Sequence, residues 1–163
     1  MDKKEDFEII KQFGPSILKV KIPEDILNQI NNYVDSVIKN SELSSRLNYG
    51  NQLVGDVTQE IKLEPNIMQT SGWGNFLGLC VGKWIASELG EKITKFNILE
   101  SWVVRQFKNE YNPIHWHSGH ISGAGFLKVP KVLGKHVQEK ENKVYKGGNL
   151  QLVHGTRMFL NNS

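Results

Sequence analysis

Two imidazoles stand two residues apart in Asn112-Pro113-Ile114-His115-Trp116-His117-Ser118-Gly119-His120, and they are the side chains here whose types and spacing could do chemistry. In an extended segment alternate side chains share a face, which would put the Cα atoms of His115 and His117 roughly 6.5 Å apart with both rings projecting together. Neutral imidazole is the commonest biological metal ligand, and two on one strand face can fill adjacent corners of a coordination sphere. The plain alternative is a pair of histidines that holds no metal. Trp116 has the opposite parity and is expected to pack between layers. His120 and His136 are read as surface residues, and His154 is the other His that could complete a ligand set within the chain.

The order Tyr111, three residues, His115, one residue, His117, followed by the strand-like ISGAGFLKVP, resembles the metal-binding strand and following strand of the 2-oxoglutarate/Fe(II)-dependent oxygenases. Within that superfamily it is most similar to oxygenase-like proteins of marine bacteria and their phages, which share an H-x-H and a following Ser-Gly strand. The resemblance runs from about Phe13 to the last residue, and only the short motif is specific. It implies Fe(II) held by His115 and His117, 2-oxoglutarate and oxygen as co-substrates, and hydroxylation of a C–H bond with release of succinate and carbon dioxide. Most of these enzymes carry Asp or Glu where His117 stands. Their third ligand is a later His, followed by a basic residue that binds the 2-oxoglutarate carboxylate. Only 46 residues follow His117, so the expectation is an oxygenase domain over 1–163 that lacks its last strands.

A carboxylate anchor favours Arg, whose planar fork binds two oxygens at once. The chain offers Arg46, Arg105 and Arg157. Arg105 is nearest the motif and is the candidate for co-substrate binding, with a salt-bridged strand residue as the leading alternative. Tyr111 and Asn112 are read first as turn residues. No side chain is assigned as a catalytic acid, base or nucleophile. A cupin-type metalloenzyme is a second reading, but such proteins often follow H-x-H with a Glu, and Ser118-Gly119-His120-Ile121 offers no carboxylate. A non-catalytic fragment or structural module is the third.

Composition sets the frame. The chain has 163 residues with 39% hydrophobic and 23% charged, which suits one soluble globular domain with a real core. No apolar run is long enough to span a membrane, and the polar start MDKKEDFEII lacks a signal-peptide core, so a cytoplasmic protein without membrane attachment is expected. Cys80 is alone, which excludes a disulfide framework and suits a buried, inert thiol. The net charge of +3 is too small to argue for nucleic acid. It is unevenly spread: residues 1–100 hold 11 Lys+Arg against 14 Asp+Glu, and residues 101–163 hold 9 against 3. A positive half would favour a dianion such as 2-oxoglutarate, although a solvated lysine loop explains most of that charge.

The elements that must position the pair follow from periodicity. FGPSILKVKI alternates as a strand, Pro23 opens a helix, and Ile26, Leu27, Ile30, Tyr33, Val34, Val37 and Ile38 form one apolar stripe along it. Residues 40–69 read as a loop region with one short strand or helix. The segment 71–90 reads as a second helix with Asn75 as N-cap, Gly90 as C-cap, and Phe76, Leu77, Cys80, Val81, Trp84, Ile85 and Leu89 on its buried side. FNILESWVVRQFKN, the His motif, HISGAGFLKVP and NLQLVHGTRMFL read as strands. The sum is α+β: a jelly-roll or double-stranded β-helix, cupin-like, with N-terminal covering helices, incomplete at its C-terminus.

Overall fold

The structure is a computed structural model, and it describes residues 7–11, 14–131, 138–140, 143–145 and 148–154. Its architecture is mixed α+β. Contacts group the chain, expected as one domain, into two compact units, Met1–Ala124 and Gly125–Ser163.

In the first unit β1 (Phe7–Ile10) pairs antiparallel with β2 (Ile17–Val20). The second strand was expected, whereas the polar surroundings of Phe7, Ile9 and Ile10 hid the first. Pro23 directly precedes α1 (Glu24–Lys39), whose first turn carries Glu24 and Asp25 and whose last carries Lys39, both favourable to the helix dipole. The apolar stripe becomes the core: Ile26, Ile30, Val34 and Val37 are buried, and Val37 packs with Leu47 and Ile61 beside Tyr33, Ile38 and Leu43.

The stretch expected as mostly loop is ordered instead. Asn40 caps α2 (Ser41–Arg46) by accepting the Leu43 N–H at 3.0 Å. A short 3-10 turn (Gly50–Gln52) leads to β3 (Gln59–Lys62), and Pro65 at the first turn starts α3 (Pro65–Thr70). Each piece is too short for periodicity to register, and capping and tertiary pairing form it. Glu64 ties them together, accepting from Tyr33 Oη at 3.1 Å and pairing with Arg46 Nη2 at 3.2 Å. Burial and this carboxylate neighbour push the Tyr33 hydroxyl up to about 12.

Helix α4 (Trp73–Leu89) starts two residues before the expected Asn75 cap, because Gly72 at φ 76° turns the chain out of α3. Gly90, at φ 70°, ends it as expected. The buried side assigned to α4 is not sealed. None of its residues is buried, and Leu89 is 70% exposed.

Strand β4 (Trp102–Arg105) is the shorter outcome of the long alternation, and it pairs antiparallel with β3, Glu60 opposite Val104 and Lys62 opposite Trp102. On the other edge of β3, Asn48 bridges Ile61, with Tyr49 N donating to Glu60 O at 2.8 Å and Lys62 N to Leu47 O at 2.9 Å. Opposed residues in a ladder share a face. Ile61 and Val103 therefore share one face with Gln59 and Arg105, toward α1, while Glu60, Lys62, Trp102 and Val104 share the other.

Residues 112–131, expected as two strands, form none. A strand exists only with a ladder partner, and the pairing at this point stops at the bridge between Asp56 and Tyr111. In the second unit the lysine-rich segment read as a loop contains a hairpin, β5 (Gln138–Lys140) with β6 (Lys143–Tyr145). Among the described residues the sheets are two-stranded antiparallel pairs and no jelly roll is formed. His136 and Arg157 lie outside the described residues, as does the strand expected beyond His154. Among the described residues no helix is long and apolar enough to cross a membrane.

Candidate metal centre

The chain leaves β4 through a turn fastened by one carboxylate. Glu110 accepts the Phe107 N–H at 2.7 Å, the Thr58 N–H at 3.1 Å and the Thr58 hydroxyl at 2.6 Å. These donors, Thr58 foremost, hold the Glu110 carboxyl below its usual range. The Gln106 amide adds a bond to Glu110 O at 2.6 Å, and Asn109 takes φ 70° to close the turn. Asp56 N then donates to Tyr111 O at 2.9 Å. Beside this bridge the Asn112 amide packs so closely on Gly55 that any Cβ there would collide with it. Tyr111 and Asn112, read first as turn residues, lie just past the turn at Lys108-Asn109, Tyr111 in the bridge and Asn112 directly after it, and they aim the next segment.

That segment brings the histidine pair together although it is not a strand. His115 Nδ1 lies 2.7 Å from Pro113 O, which fixes a proton on Nδ1 and leaves Nε2 with a free lone pair. The Nε2 atoms of His115 and His117 are 3.1 Å apart, with ring centroids 4.8 Å apart at 72°. With that lone pair on His115 Nε2, His117 Nε2–H is the donor of the bond between the rings. Two nitrogens bound at about 2.1 Å to one ion at a right angle would be about 3.0 Å apart. The separation of the pair thus matches that of two ligands on one ion, and ligation would require His117 to move its proton to Nδ1 and both rings to turn their Nε2 lone pairs toward a common point.

His117 also rests on β4, its ring 5.4 Å from Trp102, which in turn lies 5.8 Å from Tyr49. Partial burial, reinforced by His115, pushes the His117 pKa down and so favours the neutral ring that can ligate. The outer side of the pair is open to solvent.

Glu60 is the residue that sequence reading missed. It is 1% exposed, and neither carboxylate oxygen has a hydrogen-bond partner in the protein. It lies on the sheet face that His117 packs against, two residues from Lys62, the partner of Trp102. Burial pushes its carboxyl up, Glu110 adds to this, and His115 is near enough to pull it back down. An unpaired buried carboxylate costs at least about 1–3 kcal/mol, so its presence calls for a reason. The alternation in Gln59-Glu60-Ile61-Lys62 was a usable signal, since it sets a Glu inside a strand, but nothing in the sequence joins it to residue 115.

Arg105 goes the other way. It lies on the α1 side, with Nη2 3.8 Å from Asp35 Oδ1 and its guanidinium over the Phe107 ring. The structure thus gives it the salt-bridged role rather than an anchor beside the pair. Trp116, expected between layers, is 55% exposed, because no second layer forms over 112–131. His120 is exposed as expected, and Cys80 is half-buried with its thiol pushed up by burial. Among the described residues no three His, Cys, Asp or Glu side chains stand together as a complete ligand cluster. An open groove of about 620 Å³ between α4 and Phe96-Asn97-Ile98 contains neither histidine. No family model, curated protein or solved structure matches this chain.

Proposed function

We propose that the chain carries a mononuclear non-haem metal centre on His115 and His117 and works as a 2-oxoglutarate- and Fe(II)-dependent oxygenase. The observation that carries the metal reading is the 3.1 Å approach of the two Nε2 atoms. The donor set fits a divalent ion of intermediate softness, and Pro113 O does for His115 what outer groups do at metal sites, fixing tautomer and ring direction. The oxygenase reading adds the resemblance of Tyr111-x-x-x-His115-x-His117 and the Ser-Gly segment after it. On this reading β3, β4 and the histidine segment belong to one wall of a jelly roll.

Bound iron would supply oxygen activation, coupled to oxidative decarboxylation of 2-oxoglutarate to succinate and carbon dioxide, with the second oxygen atom entering the substrate. The protein's residues do the rest. His115 and His117 fix two neighbouring positions and leave the solvent side for co-substrate. Trp102, itself backed by Tyr49, packs against the His117 ring and restrains its direction.

Titration calorimetry with Mn(II), followed by a succinate assay with Fe(II), ascorbate and 2-oxoglutarate, tests both layers. One ion per chain, lost in the His115→Ala/His117→Ala variant, is expected. Equal uptake by the variant removes the site. Metal binding at the pair without 2-oxoglutarate-dependent succinate, both in this chain and in a C-terminally extended one, would point to a cupin-type metalloprotein instead.

A further inference from the structure

We propose that Glu60 is the anionic member of this centre, its carboxylate accepting hydrogen bonds from water held by a divalent cation at His115 and His117. The inference rests on the metal reading above. Two neutral imidazoles leave a divalent ion's charge uncompensated, and the position where related enzymes carry a carboxylate ligand is His117. Before a dianionic co-substrate arrives, a carboxylate elsewhere in the fold would supply compensating charge.

Three observations single out Glu60. Both its oxygens are buried and lack partners in the protein, so as a carboxylate it has open acceptor sites and as an acid it has an unanswered donor. It shares the face of β3–β4 occupied by Trp102, on which His117 rests, and it is within electrostatic reach of His115. Space is kept for it too: a Cβ on Gly50 would stand 3.2 Å from Glu60 Oε2 and 3.2 Å from Asn48 Oδ1. Glu110, another carboxylate on the approach to the pair, is already filled by Thr58 and Phe107. Gln59 Oε1 is also buried without a partner, but it is neutral and belongs to the opposite face. Because Glu60 and the pair do not form a ready ligand cluster, its contact with the ion runs through bound water rather than by direct ligation.

The test uses the whole chain with Mn(II) as probe, comparing wild type, Glu60→Gln, Glu60→Leu and His115→Ala/His117→Ala. Removing an unpaired buried acid should leave the metal-free protein as stable as wild type or more so, read as an equal or higher Tm. Mn(II) affinity should nevertheless fall about tenfold to hundredfold in both Glu60 variants, with a smaller metal-induced rise in Tm. If the Glu60 variants bind Mn(II) as wild type does while the double-His variant does not, this inference fails and the metal reading stands. If wild type binds no Mn(II), both fall. Metal-free Glu60 variants that unfold or lose Tm markedly would make the carboxylate a structural residue and overturn the proposal.

Discussion

The His117 ring lies 5.4 Å from the Trp102 ring, and this contact ties an irregular segment to the ordered sheet. Without a strand to hold it, His117 depends on that surface for its direction. An aromatic pair is worth about 0.5–1.5 kcal/mol beyond the area it buries. Replacing Trp102 by Leu should therefore weaken Mn(II) binding roughly threefold to tenfold, whereas Trp102→Phe should lose less. Calorimetry on both variants checks this, and equal affinity in all three proteins would mean that the segment orients His117 unaided.

Burial separates α1 from α4 sharply. Ile30 is 1% exposed and Leu89 is 70% exposed, although both carry the apolar stripe of a helix in the sequence. Ile30→Ala should cost about 2–5 kcal/mol by lost transfer and cavity formation. Leu89→Ser should stay within about 0.5 kcal/mol. Urea unfolding gives both numbers, and a large loss at Leu89 would mean that α4 packs where the structure leaves it open.

What could be read in advance was whatever repeats. The stripe from Ile26 to Ile38 gave α1 and its buried face, and the alternation through Trp102-Val103-Val104-Arg105 gave β4. Short elements were invisible. Helix α2 depends on the Asn40 cap and β3 on partners on both edges, neither of which is a local pattern. At the site, the closeness of His115 to His117 follows from their spacing, but the way it arises does not. Extended geometry predicted a shared strand face, and a turn set by Glu110, Asp56 and Pro113 brings the rings together instead. Glu60 was unreadable because its meaning lies in a contact between sequence-distant segments.

Arg105 gives a negative test of the proposed co-substrate binding. Its ion pair with Asp35 is half-exposed, and such pairs contribute about 0–1 kcal/mol. Arg105→Ala should accordingly lower stability by no more than about 1 kcal/mol and leave Mn(II) binding unchanged. Its effect on 2-oxoglutarate binding, followed by calorimetry of the Mn(II)-loaded protein, should be equally small. A loss of tenfold or more would restore Arg105 as the anchor.

The pH dependence of the turn before the histidines follows from Glu110. Its carboxyl titrates below the usual range in the folded protein, because Thr58 and Phe107 donate to the charged form. The unfolded chain then binds a proton at higher pH than the folded one does, so stability from this group is complete above the ordinary carboxylate pKa and is lost as pH falls through the lowered one. Acidification should loosen the clamp on Thr58 and Phe107, seen as faster amide exchange at both residues after correction for the intrinsic pH dependence of exchange. Glu110→Gln should show weaker protection at neutral pH and no further acid-dependent step. Mn(II) affinity should fall with the clamp when the variant and wild type are compared at one neutral pH. Unchanged affinity there would separate the turn from the proposed metal centre that follows it.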